Sequence, residues 1–162
     1  MSGLDRFNSA PPEELRPLLI ECLAVPRWVD AVLSGRPYPD VDALLATSNR
    51  MAEKLSDEEI GSAIAGHPRI GERAVHEGVS ARWSASEQSG VDPSLAQRLT
   101  AANLAYEERF RHIYLVCATG LNGEQMLQNL TSRMDNDAET ELGVVNQELA
   151  KIAALRLAKV VS

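Results

Sequence analysis

Apolar residues recur at three- and four-residue steps through almost the whole chain, and no segment shows the clear alternation of a half-buried strand. That spacing confines the chain to helices that each bury one face. The prolines narrow the choice further. All eight lie at or before Pro93, so long uninterrupted helices belong to the second half. No repeat, low-complexity linker or domain boundary interrupts the pattern. The expected fold is all-α, a single-domain helical bundle over residues 1–162.

Pro11 and Pro12 precede Leu15, Leu18, Leu19, Cys22 and Leu23, which share one helical face. Pro17 falls near the start of that helix, and Pro26 ends it. A short helix runs from Trp28 to Leu33, closed by Gly35 and Pro37. Asp40 reads as the N-cap of a helix whose stripe is Val41, Leu44, Leu45, Ser48, Met51, Ala52 and Leu55, with Ser48 its one polar member. Ser56 and Glu59 form a capping-box pattern. They open a helix through Ile60, Ile64 and Ala65 that must stop before Pro68. Residues 67–80 read as irregular. Asp92-Pro93 begins a long helix with Leu95, Leu99, Ala102, Tyr106 and Phe110 on one face. The run Ile113–Ala118 reads as helix or short strand and ends at Gly120 and Gly123. Further helices cover Gln125–Met134 and Asp137–Val161, the last with Leu142, Val145, Leu149 and Ile152 in register.

Composition excludes several functions. A formal net charge of -7, with no Lys/Arg block, argues against a nucleic-acid or anionic-membrane surface. No apolar stretch approaches the ~20 residues of a membrane span. The N-terminus lacks the basic-then-apolar pattern of a secretory signal, and Val160-Val161-Ser162 is not a peroxisomal tripeptide. Cys22 and Cys117 each sit in an apolar run and read as small buried hydrophobes. The expected setting is the cytoplasm.

Three places could carry chemistry. In Gly66-His67-Pro68-Arg69-Ile70-Gly71-Glu72, a helix is forced to end at His67, which leaves a titratable imidazole at its terminus. Taken alone, a plain helix cap explains that histidine better. In Ser84-Ala85-Ser86-Glu87-Gln88, a helix would place Ser84, Glu87 and Gln88 on one face, suited to a polar ligand. A capping box fits those residues equally well. Arg156 continues the stripe Leu142, Val145, Leu149, Ile152, where a guanidinium needs an anionic partner unless it snorkels. Arg133 is similar but less well placed, and Asn103 reads as a buried structural amide. His76 and His112 have no companions at metal-ligand spacing, and no P-loop, dinucleotide fingerprint or nucleophile elbow occurs. Neither a metal nor a nucleotide cofactor is expected.

The order of these motifs is more specific than any one of them. Phe7-Asn8 is followed by His67-Pro68-Arg69-Ile70-Gly71, then Ser84-x-x-Glu87-Gln88. Asn103-x-x-Tyr106-x-x-Arg109-Phe110 comes next, then Cys117-Ala118-x-Gly120, Arg133-x-x-Asn136 and Leu155-Arg156-Leu157. The chain resembles, over nearly its whole length, the 2-oxo-4-hydroxy-4-carboxy-5-ureidoimidazoline (OHCU) decarboxylases. The resemblance implies an all-α homodimer without a cofactor. It implies a small ureidoimidazoline substrate in urate breakdown and the product (S)-allantoin. By position it assigns His67 and Glu87 as the catalytic pair, and Pro68, Ser84, Gln88, Arg156 and main-chain groups near Ala118 to substrate binding. The chain departs from the pattern at Arg111-His112, where a glycine and an apolar residue are expected.

The chemistry suits those residues. OHCU carries a carboxylate on a carbon next to a C=N bond, so the electrons left by CO₂ have a sink within the substrate. Pyridoxal or thiamine is then unnecessary. The protein must orient the ring and move protons, which an imidazole beside a carboxylate can do. Two rival readings stay open: a helical interaction module in which these motifs are ordinary caps, and a hydrolase of a related cyclic ureide.

Overall fold

Side-chain caps set where the helices begin. The structure, a computed structural model, describes residues 1–67 and 93–162. Among the described residues the chain forms eight helices and no strand. They are α1 Gly3–Ser9, α2 Pro12–Cys22, α3 Pro26–Ser34, α4 Val41–Ala52, α5 Asp57–Ile64, α6 Pro93–Phe110, α7 Gly123–Arg133 and α8 Ala138–Val160. The fold is all-α, as the apolar spacing requires.

Asp40 accepts a hydrogen bond from Ala43 N at 2.8 Å, and Ser56 and Glu59 form their reciprocal box. The sequence reading missed α1, because its box pairs Ser2 with Asp5 rather than with the usual Glu or Gln. It also began α7 two residues late. The starting pair is Asn122 and Gln125, with Asn122 taking the place of Ser or Thr. Pro26 does not end α2, which stops at Cys22; it opens α3 at the first helical position, where a missing N–H costs nothing.

Helix α8 is the spine, packing against α4, α2 and α5. Its Val145, Leu149, Ile152, Ala153 and Leu157 enter the larger core with Leu19, Trp28, Leu44 and Ile60. Asn146 adds a polar clamp. Its amide donates to Ala52 O at 2.8 Å and accepts from Leu55 N at 2.8 Å, so it satisfies both sides of the α4–α5 connection. A second core joins α6 and α7 through Leu99, Tyr106, Tyr114, Val116, Met126 and Leu130. The Phe7-Asn8 pair is structural: Phe7 is buried, and Asn8 exchanges hydrogen bonds of 2.9 and 2.8 Å with the main chain of Tyr38.

The run after α6 is neither helix nor strand. Residues 113–118 cross the molecule without a regular hydrogen-bond pattern, with Tyr114, Leu115, Val116 and Ala118 buried. Arg111 takes φ 67°, a left-handed conformation that favours glycine. The family's glycine is therefore missing at a position whose backbone still calls for one. Cys22 is buried as expected, but Cys117 is only half-buried.

Candidate active site

His67 lies at the end of α5. Its main-chain N–H donates to Ile64 O at 2.9 Å, which closes the last turn and leaves the side chain beyond the helix. The imidazole is half-buried. Burial pushes its pKa down to about 4, and the positive charge of Arg156 lowers it further in the same direction. The ring is therefore neutral at physiological pH, the form that can accept a proton.

Arg156 reaches the same region from α8. It is 2% exposed, so the apolar stripe buries it and the snorkelling alternative fails. Its Nη1 donates to Glu21 O at 2.9 Å, one of the last carbonyls of α2 that no helical N–H can reach. The guanidinium thus stands at the negative end of α2. Cys22 lies beside it; burial pushes that thiol up to about 12, so it stays protonated. A fixed cation beside a neutral imidazole suits an anionic ligand. Such a ligand would offset the arginine's charge and raise the basicity of His67.

Ala118 is 5% exposed and turns the chain towards α7. Its carbonyl accepts from Leu121 N at 3.0 Å, and Gly120 supplies the positive φ of 85° that the turn needs. Its N–H has no acceptor among the described residues. Pro68, Ser84, Glu87 and Gln88 lie outside the described residues. Of the expected site residues, the structure brings His67 and Arg156 within electrostatic reach of each other.

Other motif residues form a buried polar network instead. Glu141 of α8 is fully buried and ion-paired to Arg133 of α7. It also accepts from the Tyr106 hydroxyl, and from Asn136 Nδ2 at 3.0 Å. Burial alone would raise its pKa, but the bonds from Arg133, Tyr106 and Asn136 win and hold the carboxyl below its ordinary range. Arg133 spans the network, donating to Leu115 O at 2.7 Å and stacking 4.8 Å from the Tyr114 ring centre. Arg109 donates to Asn136 O at 2.6 Å. Glu141 and Glu148 escaped the sequence reading, although the signal was present: they stand four before and three after Val145 on its inward face.

Two clefts of about 810 and 650 Å³ run along α8 and share Glu53, Asn146 and Gln147. Neither is lined by His67 or Arg156, but the smaller one reaches Cys117 and Leu155, the chain neighbours of Ala118 and Arg156. No described helix is long and apolar enough to cross a membrane.

A family model described as OHCU decarboxylase matches residues 8–158. The uric acid degradation bifunctional protein TTL of Arabidopsis thaliana is 36% identical over 147 residues, 87% of this chain but 45% of that protein. The 2-oxo-4-hydroxy-4-carboxy-5-ureidoimidazoline decarboxylase of Amia calva is 29% identical over 136 residues, 81% of this chain and 78% of its own length. A crystal structure of OHCU decarboxylase in the presence of (S)-allantoin has the same fold, with a TM-score of 0.71 at 25% identity over 86% of this chain and 94% of that chain.

Proposed function

Because the chain belongs to the OHCU decarboxylase family, we propose that it is a carboxy-lyase converting OHCU to (S)-allantoin and CO₂ in uric acid degradation. The family match over residues 8–158 carries this reading, and it also supports treating residues 1–162 as one domain.

The bond from the ring carbon to the carboxylate breaks and CO₂ leaves. The electron pair makes a double bond to the neighbouring ring carbon, and the nitrogen of the former C=N bond takes up a proton. The hydroxyl on the first carbon then gives up its proton to become a carbonyl, and the neighbouring carbon, which bears the ureido group, receives one. Arg156 pairs with anionic or carbonyl oxygens of the substrate, which its planar fork suits. His67 enters the reaction neutral and takes up a proton, with Glu87 as the other half of the relay. Ser84 and Gln88 read the ureido and ring amides, Pro68 shapes the pocket, and the Ala118 N–H supplies a main-chain donor. The enzyme acts in the cytoplasm as a homodimer, which light scattering and cell fractionation test.

Product analysis on freshly made OHCU tests the reaction class. The lyase releases CO₂ and one equivalent of allantoin. A product heavier than OHCU by one water would instead identify a hydrolase. Decay at the rate of the protein-free control would identify a chain without this activity.

A further inference from the structure

The proposed function places a main-chain donor at Ala118, and the present inference rests on that reading. Residues 113–118 have no helix or ladder of their own, so their main-chain groups depend on side chains from neighbouring elements. Among the described residues, Arg133 and Glu148 are buried side chains that serve them. Arg133 of α7 donates to Leu115 O at 2.7 Å and is committed to its ion pair with Glu141. Glu148 of α8 accepts from the Cys117 N–H at 3.1 Å.

Glu148 is placed for more than packing. It is 8% exposed, and a carboxylate so buried is costly unless its oxygens are engaged. Both are: one holds Cys117 N, and the other meets Lys151 Nζ at 2.7 Å. Lys151 is largely exposed and balances the charge from the solvent side. The peptide that Glu148 fixes is one residue before Ala118. On α8 itself, Glu148 lies eight residues before Arg156, about 12 Å along the axis. One helix therefore carries both the proposed anion-binding side chain and the anchor of the proposed main-chain donor.

We propose that Glu148 is a positioning residue for decarboxylation, holding the Cys117 N–H so that the Ala118 N–H meets the substrate in a fixed direction. The contact needs an acceptor at the reach of a glutamate, whereas its charge serves mainly the pair with Lys151. Reach and charge can be separated. Glu148→Gln keeps the reach and loses the charge. Glu148→Asp keeps the charge but falls short by about 1.5 Å, one carbon–carbon bond.

Turnover of freshly made OHCU by wild type and both variants, with kcat and KM resolved, is read beside hydrogen exchange at the Cys117 amide. Glu148→Gln should keep kcat within about threefold of wild type and keep that amide protected. Glu148→Asp should lose about tenfold in kcat, with KM changed much less, and expose the amide to exchange. An aspartate variant as fast as the glutamine variant, or faster, would overturn the inference and leave the proposed function standing. A wild-type chain that leaves OHCU at its spontaneous rate of decay would overturn both.

Discussion

His67 carries the sharpest consequence at the scale of single residues. Its pKa falls from 6.5 to about 4 on folding, so between those values the unfolded chain binds more protons than the native one. The contribution of His67 to the pH dependence is therefore a native state at full strength above pH 6.5 that weakens as pH falls towards 4. The loss levels off below that, at about 3 kcal/mol. Urea unfolding at pH 7 and pH 4.5 checks this: the gap should be wide in wild type and narrower in His67→Asn. Equal gaps would mean that the imidazole is not held neutral. Arg156 has the complementary role. Arg156→Ala should lower catalytic efficiency by about one to two orders of magnitude, and Arg156→Lys should recover only part. Near-normal efficiency in Arg156→Ala would leave the residue as a cap on α2. Arg111 offers a gain instead. It is exposed and left-handed, so Arg111→Gly should raise stability by about 1 kcal/mol in thermal melts.

Between elements, polar side chains do what regular backbone bonding does elsewhere. Arg133 and Glu141 join α7, α8 and the irregular run after α6, and both are buried. Removing one partner strands a buried charge, so Glu141→Ala should destabilise by about 3–5 kcal/mol, read as a fall in the urea midpoint. A neutral result would mean that the pair is dispensable packing. Ser48 makes the opposite point. Its hydroxyl is buried without a hydrogen bond among the described residues, while its carbonyl accepts from Trp28 Nε1 at 3.2 Å. Ser48→Ala keeps the carbonyl and removes the stranded hydroxyl, so stability should hold or rise by about 1 kcal/mol. Helix periodicity made α2, α4, α5 and α8 legible in the sequence, because each buries one apolar stripe. It was silent on residues 113–118, whose conformation depends on Arg133 and Glu148, distant in sequence. Of the site, apolar periodicity alone puts Arg156 on the inward stripe, but only the fold shows its bond to Glu21 O and its effect on His67.

For the whole molecule, α8 ties the core to the candidate site. It forms the spine of the larger core, clamps α4 to α5 through Asn146, fixes the 113–118 run through Glu148 and presents Arg156. A single long helix can hold these groups in fixed relation, and the absence of prolines after Pro93 is what allows it. The chemistry proposed needs no metal, since the substrate is its own electron sink. Dialysis against a chelator should leave turnover unchanged, and activity restored only by an added metal would contradict that mechanism. The proposed reaction is a stereospecific decarboxylation with His67 in the proton path. Circular dichroism of freshly made OHCU tests it most directly. Wild type should generate the (S)-allantoin signal well ahead of spontaneous decay, while a folded His67→Ala protein should fall back towards the protein-free rate. Racemic allantoin at the spontaneous rate with wild type, or full activity in folded His67→Ala, would contradict the claim.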